Sequence, residues 1–229
     1  MRYAFGAGML MLAIAPAVSA ETRTYDFKGF KTIEANAAYE IEFTQSPTYS
    51  VVVDSEYNNL DQVIVEQHGD TLRITRPHNS SMHHNVHDVV RISAPDLDAL
   101  KLDAAIKFTT GSLKVDALDI NAHAAVTIDI DNLTAGPVTV KAEAATKLDL
   151  AGTCSKLDLT LGAATTINAS GLKCREAYVD AGTASSVHAY ASDKAVAKAA
   201  VAASVLISGN PKDFQKTADK LSSHVGLEN

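Results

Sequence analysis

An internal repeat of about 20 residues, beginning near residue 97, constrains this chain more than any other feature. The segment Leu100-Lys101-Leu102-Asp103-Ala104-Ala105-Ile106-Lys107-Phe108 recurs as Ile120-Asn121-Ala122-His123-Ala124-Ala125-Val126-Thr127-Ile128. Further copies cover 140–148, 159–167 and 179–187, and a weaker sixth covers 199–207. A small residue stands at the centre of each copy: Ala104, Ala124, Ala144, Ala163, Thr183 and Ala203. Four positions before it stand Leu100, Ile120, Val140, Leu159, Val179 and Ala199; four after it stand Phe108, Ile128, Leu148, Ile167, Val187 and Ile207. Odd offsets are mostly polar, as at Lys101, Asn121, Lys141, Thr160 and Asp180.

Period-2 alternation is the signature of a strand with one buried and one wet face. The alternation runs through the central residue. A strand that long is unusual, so a corner at the small residue is expected. A unit of this size cannot bury its own apolar face, but a stack of such units can. The predicted fold is therefore all-β, a right-handed parallel β-helix or solenoid with about 20-residue coils; the hand follows the rule for parallel crossovers. The competing arrangement, an antiparallel sandwich of hairpins, is disfavoured because Asn-Gly and Asp-Gly turns are missing from the repeat.

Residues 97–211 carry the repeats. Residues 21–96 read as shorter alternating strands near 38–44, 49–54, 61–66, 71–76 and 87–93, with His68-Gly69-Asp70 as a hairpin turn. These are expected to be antiparallel strands that begin the solenoid and cover its first coil. No linker separates them from the repeats, so 21–211 reads as one domain. In 212–229, Phe214, Ala218, Leu221 and Val225 recur at helical spacing after Pro211. A short C-terminal helix over the last coil is expected, with a frayed tail as the alternative.

The mature sequence resembles the putative autotransporter adhesin head GIN domain family. The resemblance is carried by Phe30-Lys31-Thr32-Ile33, Tyr39-Glu40-Ile41-Glu42-Phe43, Tyr49-Ser50-Val51-Val52-Val53, Gly69-Asp70-Thr71-Leu72-Arg73-Ile74, Val90-Arg91-Ile92-Ser93-Ala94-Pro95, 97–102 and Ile207-Ser208-Gly209-Asn210-Pro211. Family members carry Ser-Gly-Ala-Gly turns between strands. Here those turns are mostly Ala-Ala, with Gly162 and Gly182 remaining, which weighs against positive φ at the corners. The resemblance implies a β-helix-like fold, an exported location and no established biochemical activity.

The first 20 residues read as a secretory signal peptide. Arg2 gives the basic start, 3–14 the short apolar core and Val18-Ser19-Ala20 the cleavage pattern, with cleavage expected after Ala20. The apolar stretch is short for a membrane span, so no membrane insertion is expected, and a buried N-terminal helix is the alternative. No Cys follows for lipid attachment, and the Leu-Glu-Asn end carries no sorting signal, so a periplasmic or secreted protein is expected. Removing residues 1–20 takes away Arg2 and no acid, so the formal charge moves from −7 to about −8. That balance argues against nucleic acid as a partner, which demands a basic patch.

Cys154 and Cys174 each lie nine residues before a repeat centre, so they should stack in adjacent coils. The backbone spacing there, about 4.8 Å, falls in the range a disulfide tolerates. A disulfide is expected in an oxidising compartment, with a stacked pair of buried thiols as the alternative. His78, His83, His84 and His87 form a second cluster, with Met82 among them. Imidazole and thioether suit Cu, and imidazole suits Zn, but the spacing matches no specific motif. A solvated connection is preferred, and no metal or other cofactor is expected; His83, His84 and His87 are the candidates for weak binding.

Asp129, Asp131, Asp149, Asp158 and Asp180 could suggest the clustered carboxylates of a β-helix polysaccharide enzyme. General acid–base chemistry needs two such groups close together, one with a raised pKa. Asp129 and Asp149 share a repeat offset, yet residues 109–177 hold no aromatic platform for a sugar, and no Gly-x-Ser-x-Gly elbow occurs. The preferred function is an exported, non-catalytic binding or scaffold module of the cell envelope, adhesin-like, whose partner is a glycan or an envelope protein. A polysaccharide-active β-helix enzyme ranks second, and a weak periplasmic metal binder using the His78–His87 segment third.

Overall fold

The computed structural model describes residues 21–55, 60–77, 88–219 and 223–228. Residues 1–20, read above as a signal peptide, and the histidine cluster at 78–87 lie outside them. The chain opens with β1 (Glu21–Tyr25), β2 (Thr32–Asn36), β3 (Tyr39–Gln45) and β4 (Ser50–Ser55). A 3₁₀ turn at Leu60–Gln62 precedes β5 (Ile64–His68), β6 (Thr71–Thr75) and β7 (Asp88–Ala94). Next come β8 (Ala99–Asp103), β9 (Ile106–Thr110), β10 (Leu113–Lys114) and β11 (Leu118–His123). Four long strands follow: β12 (Thr127–Glu143), β13 (Lys147–Leu161), β14 (Thr166–Ala181) and β15 (Ser186–Ala199). The chain closes with β16 (Ser204–Ser208), β17 (Asp213–Ala218) and β18 (His224–Leu227).

From β8 onward every pairing is parallel and links a segment to its counterpart one coil away, as in Leu100–Ile120–Val140–Leu159–Val179. The fold is the expected β-solenoid. Its long strands turn between sides where the register shifts, between Ile130 and Leu133 and between Asp149 and Gly152. Gly152 has φ +129, and a Cβ there would stand 2.0 Å from the Leu133 carbonyl oxygen, so only glycine serves at this bend.

Inward side chains form the core. Ile120, Val140, Leu159, Ile128, Leu148 and Ile167 are all at most 2 % exposed. The core narrows along the axis. Phe30, Phe43 and Phe108 fill it near one end; Ala189, Ala191, Ala195 and Ala197 fill it near the other. A smaller cross-section needs a shorter perimeter, and the last full coil shortens accordingly. Val179 pairs with Ala197 and Val187 with Val205, a step of 18 residues where the repeat suggested Ala199 and Ile207. The sixth copy is thus displaced by two residues. Such a slip keeps every side chain on its own face, so the inward pattern survives. Val201, two residues before Ala203, falls in the turn and is 39 % exposed, whereas Leu102, Ala122, Ala142, Leu161 and Ala181 at the same offset are buried.

The corners fall at the small residues, but with a conformation the Ala-Ala turns argued against. Ala104, Ala124, Ala144, Ala145, Ala164, Ala184 and Ala202 all have positive φ, between 45° and 69°. Alanine is the smallest residue with a Cβ, and close stacking of coils over-determines the turn. A buried hydroxyl column helps: Thr146 Oγ1 donates to the Glu143 carbonyl (2.7 Å), Thr165 Oγ1 to the Gly162 carbonyl (3.1 Å) and Ser185 Oγ to the same carbonyl (2.7 Å). These bonds satisfy corner carbonyls that the ladder leaves over.

The N-terminal part departs from chain order. β2 and β3 form a coil lying between β6–β7 on one side and β8–β9 on the other, all in parallel. Antiparallel pairing is confined to β1–β4, β4–β7 and β5–β6, and the β5–β6 turn is at Gly69 with φ +62, as expected. The C-terminal helix is not formed. Asp213–Ala218 pairs with Lys194–Ala199, and His224–Leu227 pairs with Ser204–Ile207, both in parallel. The edge of the preceding coil offers a row of unpaired N–H and C=O groups, and continuing the ladder satisfies them where a helix would not. Of the four residues that suggested the helix, Val225 is buried, Phe214 half-buried and Ala218 exposed, while Leu221 lies outside the described residues.

Candidate functional site

Stacking turns each outward offset of the repeat into a column of side chains. One column on the first side reads Arg73, Glu34, Lys101, Asn121, Lys141, Thr160, Asp180 and Lys198. Two residues further along the same strands, beside the corner, runs Asn36, Asp103, His123 and Glu143. Between these columns lies a shallow cavity of about 530 Å³. Its floor is strand backbone at Ala35, Leu102 and Ala122, whose side chains point inward and are buried.

The two rims differ in chemistry. His123 Nδ1 lies 3.1 Å from Asp103 Oδ1, and His123 Nε2 lies 3.7 Å from Glu143 Oε2, so one imidazole stands between carboxylates on the coils to either side of its own. All three side chains are exposed. On the other rim Arg73 Nε donates to Glu34 Oε1 at 2.9 Å. Among the described residues Lys101 and Lys141 have no ion-pair partner. Sequence reasoning missed this site. The signal was present as Asp103, His123 and Glu143 at one offset of three successive copies, a charge alternation that a stacked column makes complementary.

The five aspartates divide between two sides of the solenoid: Asp129 and Asp131 line one shallow cavity with Glu42, and Asp158 and Asp180 line another. Asp129 and Asp149 are register partners, as the repeat implied, on the side formed by 127–130 and 147–150. Asp158 and Asp180 stand on the other side, where Asp158 pairs with Lys156 at 2.9 Å. Asp149 receives Lys147 Nζ at 3.0 Å and Asn168 Nδ2 at 3.0 Å. The Lys147 hydrogen bond above all holds its carboxyl below the usual carboxylate range, opposite to what a general acid requires. Tyr178 extends the face of Asp158 and Asp180, with Lys156 Nζ 4.6 Å and Lys194 Nζ 5.8 Å from its ring centroid. A second shallow cavity of about 530 Å³ is lined by Lys31, Asp96, Asp98, Asp116 and Asp119. There Lys31 Nζ lies 3.2 Å from Asp96, whose hydrogen bond chiefly raises the lysine pKa.

Cys154 and Cys174 form a disulfide with Cα atoms 4.4 Å apart, and are register partners on β13 and β14. Equal phase in adjacent repeats placed them correctly. His83, His84 and His87 lie outside the described residues, so the structure does not place them.

The family model for the putative auto-transporter adhesin, head GIN domain, matches residues 29–211. The chain belongs to this family. The match begins before Phe30 in the first inner coil and ends at Pro211, beyond the last full coil, so the GIN domain includes both columns of the groove and the disulfide. No curated protein sequence matches the chain.

Solved structures share the GIN-domain fold. A putative adhesin from Bacteroides fragilis is 20% identical, with TM-score 0.84 over 93% of this chain and 99% of that one. A putative adhesin from Parabacteroides merdae is 13% identical, with TM-score 0.66 over 92% and 96%. A putative lipid binding protein from Parabacteroides distasonis gives the same identity and TM-score over 92% and 97%. At these identities the likeness is one of fold. Among the described residues no helix is long and apolar enough to cross a membrane.

Proposed function

We propose that this chain is an exported, non-catalytic binding module of the cell envelope, adhesin-like, with a glycan or an envelope protein as partner. The observation that carries the reading is the set of outward columns. They present polar side chains at a regular spacing of about 4.8 Å on a stiff parallel scaffold, as in Glu34, Lys101, Asn121 and Lys141. Such a surface binds by many modest polar contacts along its length. Membership of an adhesin-named family supports the reading, and so does the disulfide, which suits an oxidising compartment. Residues 1–20 act in this reading as a signal peptide cleaved after Ala20, and the solenoid functions in the periplasm or outside the cell. The lowered Asp149 pKa and the division of the five aspartates between two sides, with Asp158 paired to Lys156, disfavour the polysaccharide-enzyme alternative.

The test has two parts. N-terminal sequencing of protein recovered from the envelope should begin at Glu21. The purified protein should then be retained by one class on a glycan array, or should retain one envelope protein in a pull-down. Turnover of a polysaccharide, measured as new reducing ends or unsaturated products, would replace the binding module with an enzyme.

A further inference from the structure

We infer that the groove between the Lys101 and His123 columns is a subsite for a linear glycan that carries carboxylate groups. The inference rests on the binding-module reading and names its ligand class. The groove spans four stacked strand segments, from 34–36 to 141–143, a length of about 14 Å at three strand spacings. Its rims are two residues apart along each strand, about 7 Å. Its volume of about 530 Å³ lies within the roughly 300–1,000 Å³ of small-ligand sites. It is therefore narrow, elongated and shallow, the shape of a sugar chain lying along the solenoid axis.

The chemistry of the rims decides the class. Backbone groups on the floor are used in the ladder, so recognition falls to the side chains. Lys101 and Lys141 stand on either side of Asn121 in one column, about 9.6 Å apart at the backbone. Five lysines elsewhere are paired with carboxylates, Lys31 with Asp96, Lys107 with Glu40, Lys147 with Asp149, Lys156 with Asp158 and Lys212 with Asp193. Lys198, further along the same column, shares the unpaired state of Lys101 and Lys141 among the described residues but stands outside the groove. Lys101 and Lys141 are exposed, and their flexible stems can bring both ammonium groups onto one anion above Asn121, whose amide adds a third donor. The facing rim offers the opposite complement. Asp103 and Glu143 offer carboxylate oxygens as acceptors for hydroxyls, with His123 standing between them. A ligand that meets both rims has an acid group on one edge and hydroxyls on the other, as a uronate sugar has. A polypeptide would need apolar anchors in a pocket, and the floor exposes only backbone. The chain's overall charge of −7 opposes a polyanion, so binding should be salt-sensitive and depend on these two lysines.

The test is calorimetry on the purified protein with an oligouronate of about six sugars. The comparison ligands are a neutral oligoglucan of equal length and inorganic phosphate. The variants are K101Q/K141Q and a control, K114Q/K216Q, which removes the same charge away from the groove. The oligouronate should bind, the neutral oligomer and phosphate should bind at least about tenfold more weakly, and K101Q/K141Q should lose at least about tenfold while the control keeps wild-type affinity. Both variants change exposed side chains, and matching melting temperatures verify their folding. Equal binding of the neutral oligomer, equal binding of phosphate, or an equal loss in the control would overturn the assignment. So would no binding of oligouronate; if a glycan array or pull-down still shows a partner, the binding-module reading stands and only its ligand class falls.

Discussion

The carboxylate of Asp88 is fully buried and is held by the guanidinium of Arg76, itself only 11 % exposed, twelve residues earlier in the chain. Ser55 Oγ donates to Asp88 Oδ1 at 2.5 Å, and the Arg76 guanidinium packs 5.0 Å from the Tyr39 ring centroid. Tyr39 donates its hydroxyl to the Thr75 carbonyl at 2.8 Å, and its pKa is raised, chiefly by burial. The ion pair therefore ties the end of β6 to the start of β7 under the first coil. Removing one partner leaves a buried charge alone. Asp88→Ala should cost about 3–5 kcal/mol. An Arg76→Leu, Asp88→Leu double variant should recover part of that loss. Urea denaturation of both proteins checks the difference.

Facing, and not hydrophobicity in bulk, should govern tolerance in the repeats. Val140 is 0 % exposed and Lys141, its neighbour, points outward. Val140→Asp should cost about 3 kcal/mol or more, because the new charge has no partner in the core. Lys141→Asp should cost less than about 0.5 kcal/mol. Equal melting temperatures would contradict the register.

The disulfide closes a loop of 20 residues between β13 and β14. Replacing Cys154 and Cys174 together by Ser should cost about 3 kcal/mol in the chain-entropy picture. Protein from the envelope should resist alkylation until reduced, and intact mass shows whether it does.

The alanine corners give a fourth test. Ala184 has φ 56, where a β-branched side chain is strained. Ala184→Val should destabilise by about 1–2 kcal/mol or more. Ala184→Gly should stay within about 1 kcal/mol of the parent, since relief of strain offsets the greater entropy lost on folding. Thermal melts of the pair decide whether the corner is left-handed.

Asp149 should titrate below the usual carboxylate range, because Lys147 and Asn168 bind its charged form. Its folded pKa is lowered, so its contribution is present above the unfolded value and is lost as pH falls through the folded one. Lys147→Ala should move the pKa back up, as read from the side-chain carboxyl resonance by NMR.

Much of this was legible in the repeat. The facing of Ile120, Val140 and Leu148, the corners at Ala104 and Ala124, and the meeting of Cys154 with Cys174 all follow from one period. The groove was half legible. Lys101, Asn121 and Lys141 stood out as polar at one offset, but that the two lysines lack ion-pair partners among the described residues depends on side-chain distances to neighbouring columns. The bridge from His123 to Asp103 and Glu143 needed the same information.

The sequence by itself determined which residues face inward and roughly how many make a coil. Both are local: alternation maps onto the two faces of a strand, and a repeat maps onto one circuit of the core. Tertiary structure decided three things. It placed β2–β3 between β6–β7 and β8–β9, out of chain order, because parallel pairing is indifferent to the sequence distance between partners. It shortened the last full coil to 18 residues, because an alanine-filled core has a smaller perimeter and a slip of two costs no change of face. It drew Asp213–Ala218 and His224–Leu227 into strands despite helical spacing, because an open ladder edge offers hydrogen bonds that a pattern of four residues does not outweigh.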